Sequence, residues 1–236
     1  MKKAAMPERT SLTRERVLRA ALDMADEEGI ESLSMRRLGG RLGVEAMSLY
    51  NHVEGKEDVL DGILELVIGE IAVPAAGVDW RTAMRERAVS ARKAFSLHPW
   101  AAALMDSRTS SGPGRLGYFD AVVGALTGAG FPLERAGRAL SVLDCYIYGF
   151  ALQRRNMASG GRERAEDRAE ALRDSAPTEA YPHLARMIEW TVAHGYDEDA
   201  DFEFGLNLIL DGLARLLPQG RESGPRPSPV RKPRRD

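Results

Sequence analysis

The chain has 236 residues, of which 44% are hydrophobic and 29% charged, and its formal net charge is −2. That balance belongs to an ordinary folded domain; no apolar run approaches the ~18 residues of a membrane span, and so small a net charge excludes a protein that coats nucleic acid indiscriminately. Cys145 is the only cysteine, so no intramolecular disulfide forms and a reducing compartment, the cytoplasm, is expected.

Lys2 and Lys3 are followed by no apolar stretch, so no secretory leader is expected at the N-terminus. Strand alternation is nearly absent and apolar residues recur three and four apart, which gives an all-α fold. A first helix is expected from Thr13 to Glu28, with Val17, Leu18, Ala21, Leu22 and Ala25 on one face and Gly29 ending it. Ser34 reads as the N-cap of a short second helix carrying Leu38 and Leu42, closed by Gly43. A third, about Glu45 to His52, follows after Val44 alone. Gly55 and Lys56 introduce a fourth, which runs to Ile71.

Pro74 to Asp79 breaks the pattern and divides a domain at 1–72 from a larger one at 73–217. In the larger domain, helices are expected at Trp80–Leu97, just after Pro99, and at Arg115–Gly130, Leu133–Met157, Thr178–His194 and Asp199–Leu217. Ser107–Gly114 reads as a loop, and Ala158–Pro177 as a mobile loop or frayed helix. The stretch 218–236 is rich in Arg and Pro and reads as a disordered basic tail.

The second and third helices, joined at Gly43 and Val44, have helix-turn-helix spacing over about 34–52, the geometry that lays the second helix in a DNA major groove. Leu49 and Val53 can seat the third helix on the core, leaving a polar and aromatic face outward. Ser48 and Asn51 suit base edges or phosphates, Ala46 and Met47 suit a thymine methyl, and Tyr50 can donate to a phosphate. His52 is either a phosphate donor or packing between helices. Arg36 can reach a guanine edge, and Lys56 can add its charge where helix amides already face a phosphate. Ser34 and Glu45, at the starts of the two helices, complete the candidate DNA-binding set. The first 71 residues nonetheless hold ten Lys or Arg against fourteen Asp or Glu, a net of −4. Contact must come from a few placed groups rather than a basic domain.

The run from Val17 to Ile71, with Leu49, Tyr50, His52, Val53 and Lys56 at their present spacing, resembles the TetR (tetracycline repressor) family. Arg138–Ser141, Tyr148–Leu152 and Phe202–Leu213 resemble that family's C-terminal domain. The resemblance implies a homodimeric regulator, mostly of repressor type, that binds a double-stranded, palindromic operator and is released from it by a small-molecule inducer. By position it implies DNA contact at Arg36, Ala46, Met47, Ser48, Tyr50, Asn51, His52 and Lys56. Gly39 and Gly40 depart from the family's Ala-rich second helix, and each is expected to cost about 0.5–1 kcal/mol relative to Ala.

Phe119, Tyr146, Phe150 and Trp190, with Arg108 and Gln153, are candidates to line a ligand cavity. The resemblance adds Leu104 and Met105, which fall where the family's drug-binding histidine is expected. Its other histidine falls near Ile71 and its acidic metal partner at Gln153, so a magnesium–tetracycline chelate is not implied. His98, His183 and His194 have no carboxylate or Cys at ligand spacing; no metal or other cofactor is expected. Cys145, within an apolar helix, is expected to be a buried, inert thiol. Two rivals stand beside the regulator: a helical enzyme using Asp144, Cys145 or Asp211, and a ligand-free dimerising protein.

Overall fold

The computed structural model describes residues 11–108, 112–158, 165–175 and 180–217. The basic tail and the first ten residues lie outside them. Among the described residues there are eleven α-helices, one 3₁₀ turn and no strand.

Helix α1 (Arg14–Glu28) starts where the Thr13 hydroxyl accepts from the Arg16 amide, and ends at Gly29 with φ 85°. A 3₁₀ turn at Ile30–Ser32 leads to α2 (Met35–Leu42), which is capped by Ser34 and closed by Gly43 in the left-handed region, φ 68°. Helix α3 is only Ala46–Leu49, shorter than the expected Glu45–His52. Tyr50–His52 instead form a turn closed by the amides of His52 and Val53, which both donate to the Leu49 carbonyl, at 2.9 and 3.0 Å. Helix α4 (Lys56–Ile68) stops at Gly69, although Ile71 beyond it is still buried.

Helices α5 (Trp80–Leu97), α6 (Ala101–Ser107), α7 (Pro113–Gly128) and α8 (Leu133–Ala158) follow. Pro113 opens α7 two residues before the expected start because its fixed φ suits the first helical position. Within the stretch read as a mobile loop or frayed helix, α9 (Ala165–Ser175) is helical and packs against α10 (Pro182–His194). Helix α11 (Glu198–Ala214) is capped by Asp197, whose carboxylate accepts from the Ala200 amide at 3.0 Å.

One connected apolar core runs from Val17 on α1 to Leu213 on α11. Helix α4 ties its two ends together. Gly62 lets α4 lie against Leu18, whose side chain would sit 2.5 Å from an added Cβ. Asp61 and Glu65 reach the other way, to Arg108 and to the start of α7. No described helix is long and apolar enough to cross a membrane.

Candidate nucleic-acid interface

The turn between α2 and α3 is shaped by two different glycines. Gly43 supplies the left-handed backbone, and its amide closes α2 on the carbonyls of Gly39 and Gly40. Gly39 is buried because the chain passes directly over it: a Cβ there would lie 2.9 Å from the Val44 carbonyl oxygen and 3.1 Å from the Ala46 amide. The expected penalty of a glycine in α2 therefore holds only for Gly40, which has open space around it.

Leu49 and Val53 are buried, so α3 is seated as its spacing predicted. Around them the surface is polar and exposed. Met47 is 75% exposed and Tyr50 48%. Arg36, Glu45, Asn51 and Lys56 are exposed as well, and Ser34, Ala46, Ser48 and His52 are half-buried. Ser34 is occupied as the cap of α2, accepting from the Arg37 amide at 3.3 Å. His52 lends its backbone carbonyl to Arg14.

Several of the module's arginines are spent in ion pairs, which leaves its acidic excess unchanged. Arg37 meets Glu28, and Arg41 meets Glu27 at 2.8 Å. Arg14 and Asp58 form a two-pronged pair at 2.5 and 2.6 Å, clamping α1 to α4, and the guanidinium holds the Asp58 carboxyl below its usual range. Glu57 and Asp61 meet Arg108 at 2.7 and 2.5 Å. Arg36 and Lys56, by contrast, have no side-chain partner among the described residues. Lys56 also heads α4, where the helix dipole disfavours a cation unless an anion sits beyond it.

Two joints missed by sequence reasoning tie this module to the rest. At the first, His98 Nδ1 and the Trp100 indole N–H meet Asp26 of α1, at 2.9 and 2.7 Å, and His98 Nε2 faces Glu70 at 3.4 Å. At the second, the Glu65 carboxylate accepts from the amides of Gly114 and Arg115, 2.8 and 3.0 Å away, at the start of α7. Both pair residues too distant in sequence for local patterning to connect, although the glycines at 112 and 114 were a signal: a Cβ at either would lie within 2.5 Å of Glu65.

The expected ligand-lining residues are dispersed. Met105 is buried and Leu104 half-buried against the core. Phe119 packs edge-on to Tyr118, 5.3 Å between ring centres. Arg108 is engaged with α4. Tyr146 donates its hydroxyl to the Phe202 carbonyl at 2.9 Å, and Phe150 packs on the Phe202 ring. Gln153 is exposed, and Trp190 is 60% exposed on α10, stacked on His194. Cys145 is exposed, not buried: it shares the outer stripe of α8 with Val142 and Gly149, opposite the buried Leu143 and Ile147. No group of three or more His, Cys, Asp or Glu arranged for a metal occurs among the described residues.

A short helix with an uncommitted polar face, held at a glycine turn on a helical scaffold, defines a helix-turn-helix DNA-binding protein. Residues 17–63 match the model for bacterial regulatory proteins of the tetR family, and residues 73–217 match the tetracyclin repressor-like C-terminal domain. The chain belongs to the TetR family and is a ligand-responsive, DNA-binding transcriptional regulator, not an enzyme. It is 35% identical to an HTH-type transcriptional regulator of Saccharopolyspora erythraea, over 86% of this chain and 85% of that one. It is 34% identical to the class A tetracycline repressor protein from transposon 1721 of Escherichia coli, over 92% and 98%. The solved structure of the TetR family protein ActR of Streptomyces coelicolor, in complex with actinorhodin, superposes with a TM-score of 0.72 at 28% identity, covering 87% of this chain and 98% of that one.

Proposed function

We propose that this regulator is a homodimeric repressor working in the cytoplasm, which reads a palindromic operator through Arg36, Ala46, Met47, Ser48, Tyr50, Asn51, His52 and Lys56 and leaves it when a small molecule binds the larger domain. Ser34 and Glu45 border the contact. The observation that carries the reading is the contrast in charge use: neighbouring arginines are consumed in ion pairs while Arg36, Lys56 and the face of α3 stay uncommitted. The division at 1–72 and 73–217 fits this division of labour.

Dimerisation is supported by an outer apolar face on α8 and α11, where Val142, Phe204 and Leu208 are 48%, 68% and 59% exposed. Two copies joined there about a two-fold axis would present their α3 helices to half-sites ~34–36 Å apart. Release follows if the inducer prefers a dimer whose modules no longer match that spacing. A mobility-shift assay of the whole protein on DNA flanking its own gene, with a salt titration, tests the reading. A discrete complex with one dimer per site is expected, and binding no tighter than to unrelated DNA would overturn the autoregulatory form of the proposal.

A further inference from the structure

Between the second half of α5, the last turns of α8 and the start of α11 the chain leaves a cavity of about 430 Å³. Part of its lining is apolar: Val89, Phe95, Leu97 and Pro99 come from α5 and the turn after it, and Phe150 from α8. The rest is largely charged, with Arg92 and Lys93 on α5, Arg154 on α8, and Glu198 and Asp199 on the first turn of α11. Two of the three cations are spent. Arg92 meets Asp199 at 2.6 Å, and Arg154 meets Glu198 at 2.5 Å. Lys93, by contrast, is exposed and has no partner among the described residues. Arg92 adds an unmet donor to the same wall: its guanidinium lies over the Phe202 ring, 5.1 Å from the centre, and its Nε is buried without an acceptor. None of the residues proposed for DNA contact or for the dimer face lines the cavity, and no residue of α7 does.

We propose that this cavity is a ligand site in its own right, fitted to a small amphipathic monocarboxylate whose charge meets Lys93 and whose apolar body lies against Phe95, Leu97 and Phe150. The charges that line the cavity select the ligand. Three cations stand against two carboxylates, so a single negative charge balances the site. A neutral ligand leaves Lys93 unpaired. An anion of higher charge overshoots the balance and is repelled by Glu198 and Asp199, and a cation finds both of those carboxylates already committed to arginines. The apolar lining then excludes a bare inorganic anion as the best fit, because it would leave Leu97, which is 58% exposed, uncovered. An ion pair at so exposed a lysine is weak, so the apolar body supplies most of the affinity and Lys93 the choice between acid and neutral analogue. The volume lies within the roughly 300–1,000 Å³ of small-molecule sites.

The compounds 2-naphthoate and 2-naphthamide share a ring system and nearly a shape but differ in charge, so calorimetric titration of both into the full-length protein isolates the carboxylate. Naphthoate is expected to bind about three-fold more tightly or better, the size of an exposed ion pair, with a margin that shrinks as salt rises. Lys93→Glu is expected to reverse the preference and Lys93→Arg to keep it. Both variants should retain the circular dichroism and melting transition of the unaltered protein, because the Lys93 side chain is exposed and holds no partner among the described residues. Failure of both compounds to bind, or equal affinities in the unaltered protein, overturns the proposal. A preference for naphthoate that survives Lys93→Glu places the carboxylate elsewhere on the molecule and overturns it as well.

Discussion

Gly39 and Gly40 are adjacent in α2, identical in chemistry and opposite in consequence. A methyl group at Gly39 meets backbone on the far side of the turn, which cannot yield without moving α3; at Gly40 it meets nothing. Gly40→Ala is therefore expected to stabilise the protein by about 0.5–1 kcal/mol through the entropy of the unfolded chain, and Gly39→Ala to destabilise it and weaken operator binding. Thermal melts of the two variants decide, and equal shifts of the same sign would contradict the packing described for the turn. Among the residues proposed to contact DNA, Arg36→Ala is expected to cost about 1–3 kcal/mol in operator affinity and to relax base preference, while Lys56→Ala weakens all sequences alike and lowers the salt slope by about one. A pH effect also belongs to a single residue. Tyr118 ionises at about 12 in the fold, against 10.0 for an unperturbed phenol, chiefly because it is buried. Between those values the unfolded chain has lost a proton that the folded chain keeps, so stability falls as pH rises, by up to about 1.4 kcal/mol per unit for this one group. Tyr118→Phe should show a visibly shallower decline in melting temperature above pH 10, whatever its stability at neutrality.

At the scale of elements, periodicity and caps made most helices legible. Helix α5 spans Trp80–Leu97 as its apolar spacing predicts, and Ser34 and Gly43 bound α2 as expected. Periodicity fails where geometry is set by a neighbour. After Leu49 the chain leaves α3 in a turn, with the amides of His52 and Val53 both on the Leu49 carbonyl, and α9 forms in a polar stretch that contacts α10. The face of α3 was legible because it needs only local spacing. The grip of α7 on Glu65 was not, since it joins residues about 50 apart. That grip lends itself to a double-mutant cycle. Gly114→Ala drives the Glu65 carboxylate off two charge-assisted amide bonds, a loss of about 1–2 kcal/mol. Glu65→Ala removes the same contact from the other side. The two losses should not add: the double variant is expected to melt close to the worse single one, and simple additivity would mean that the contact does not hold α4 to α7.

For the whole molecule, the orientation of the outer face of α8 was the least legible feature, because an apolar helix can bury either stripe until its neighbours are known. The core takes Leu143 and Ile147, and the stripe with Val142, Cys145 and Gly149 is left outward beside Phe204 and Leu208 of α11. Such a surface, apolar and lined with small residues, marks an interaction site, and under the proposed dimer a second copy would supply the same face about a two-fold axis. Cys145 then becomes a reporter of assembly. In the proposed dimer its thiol should react slowly with a small disulfide reagent, at a rate that rises on dilution as monomers form. Phe204→Asp/Leu208→Asp places two carboxylates against their symmetry mates in a desolvated interface, where each lacks a counter-charge, and should yield monomers in sedimentation. In that variant Cys145 is expected to react rapidly and independently of concentration, and operator affinity to fall to that of an isolated module. A monomeric variant with an unchanged thiol rate would place the interface elsewhere on the molecule.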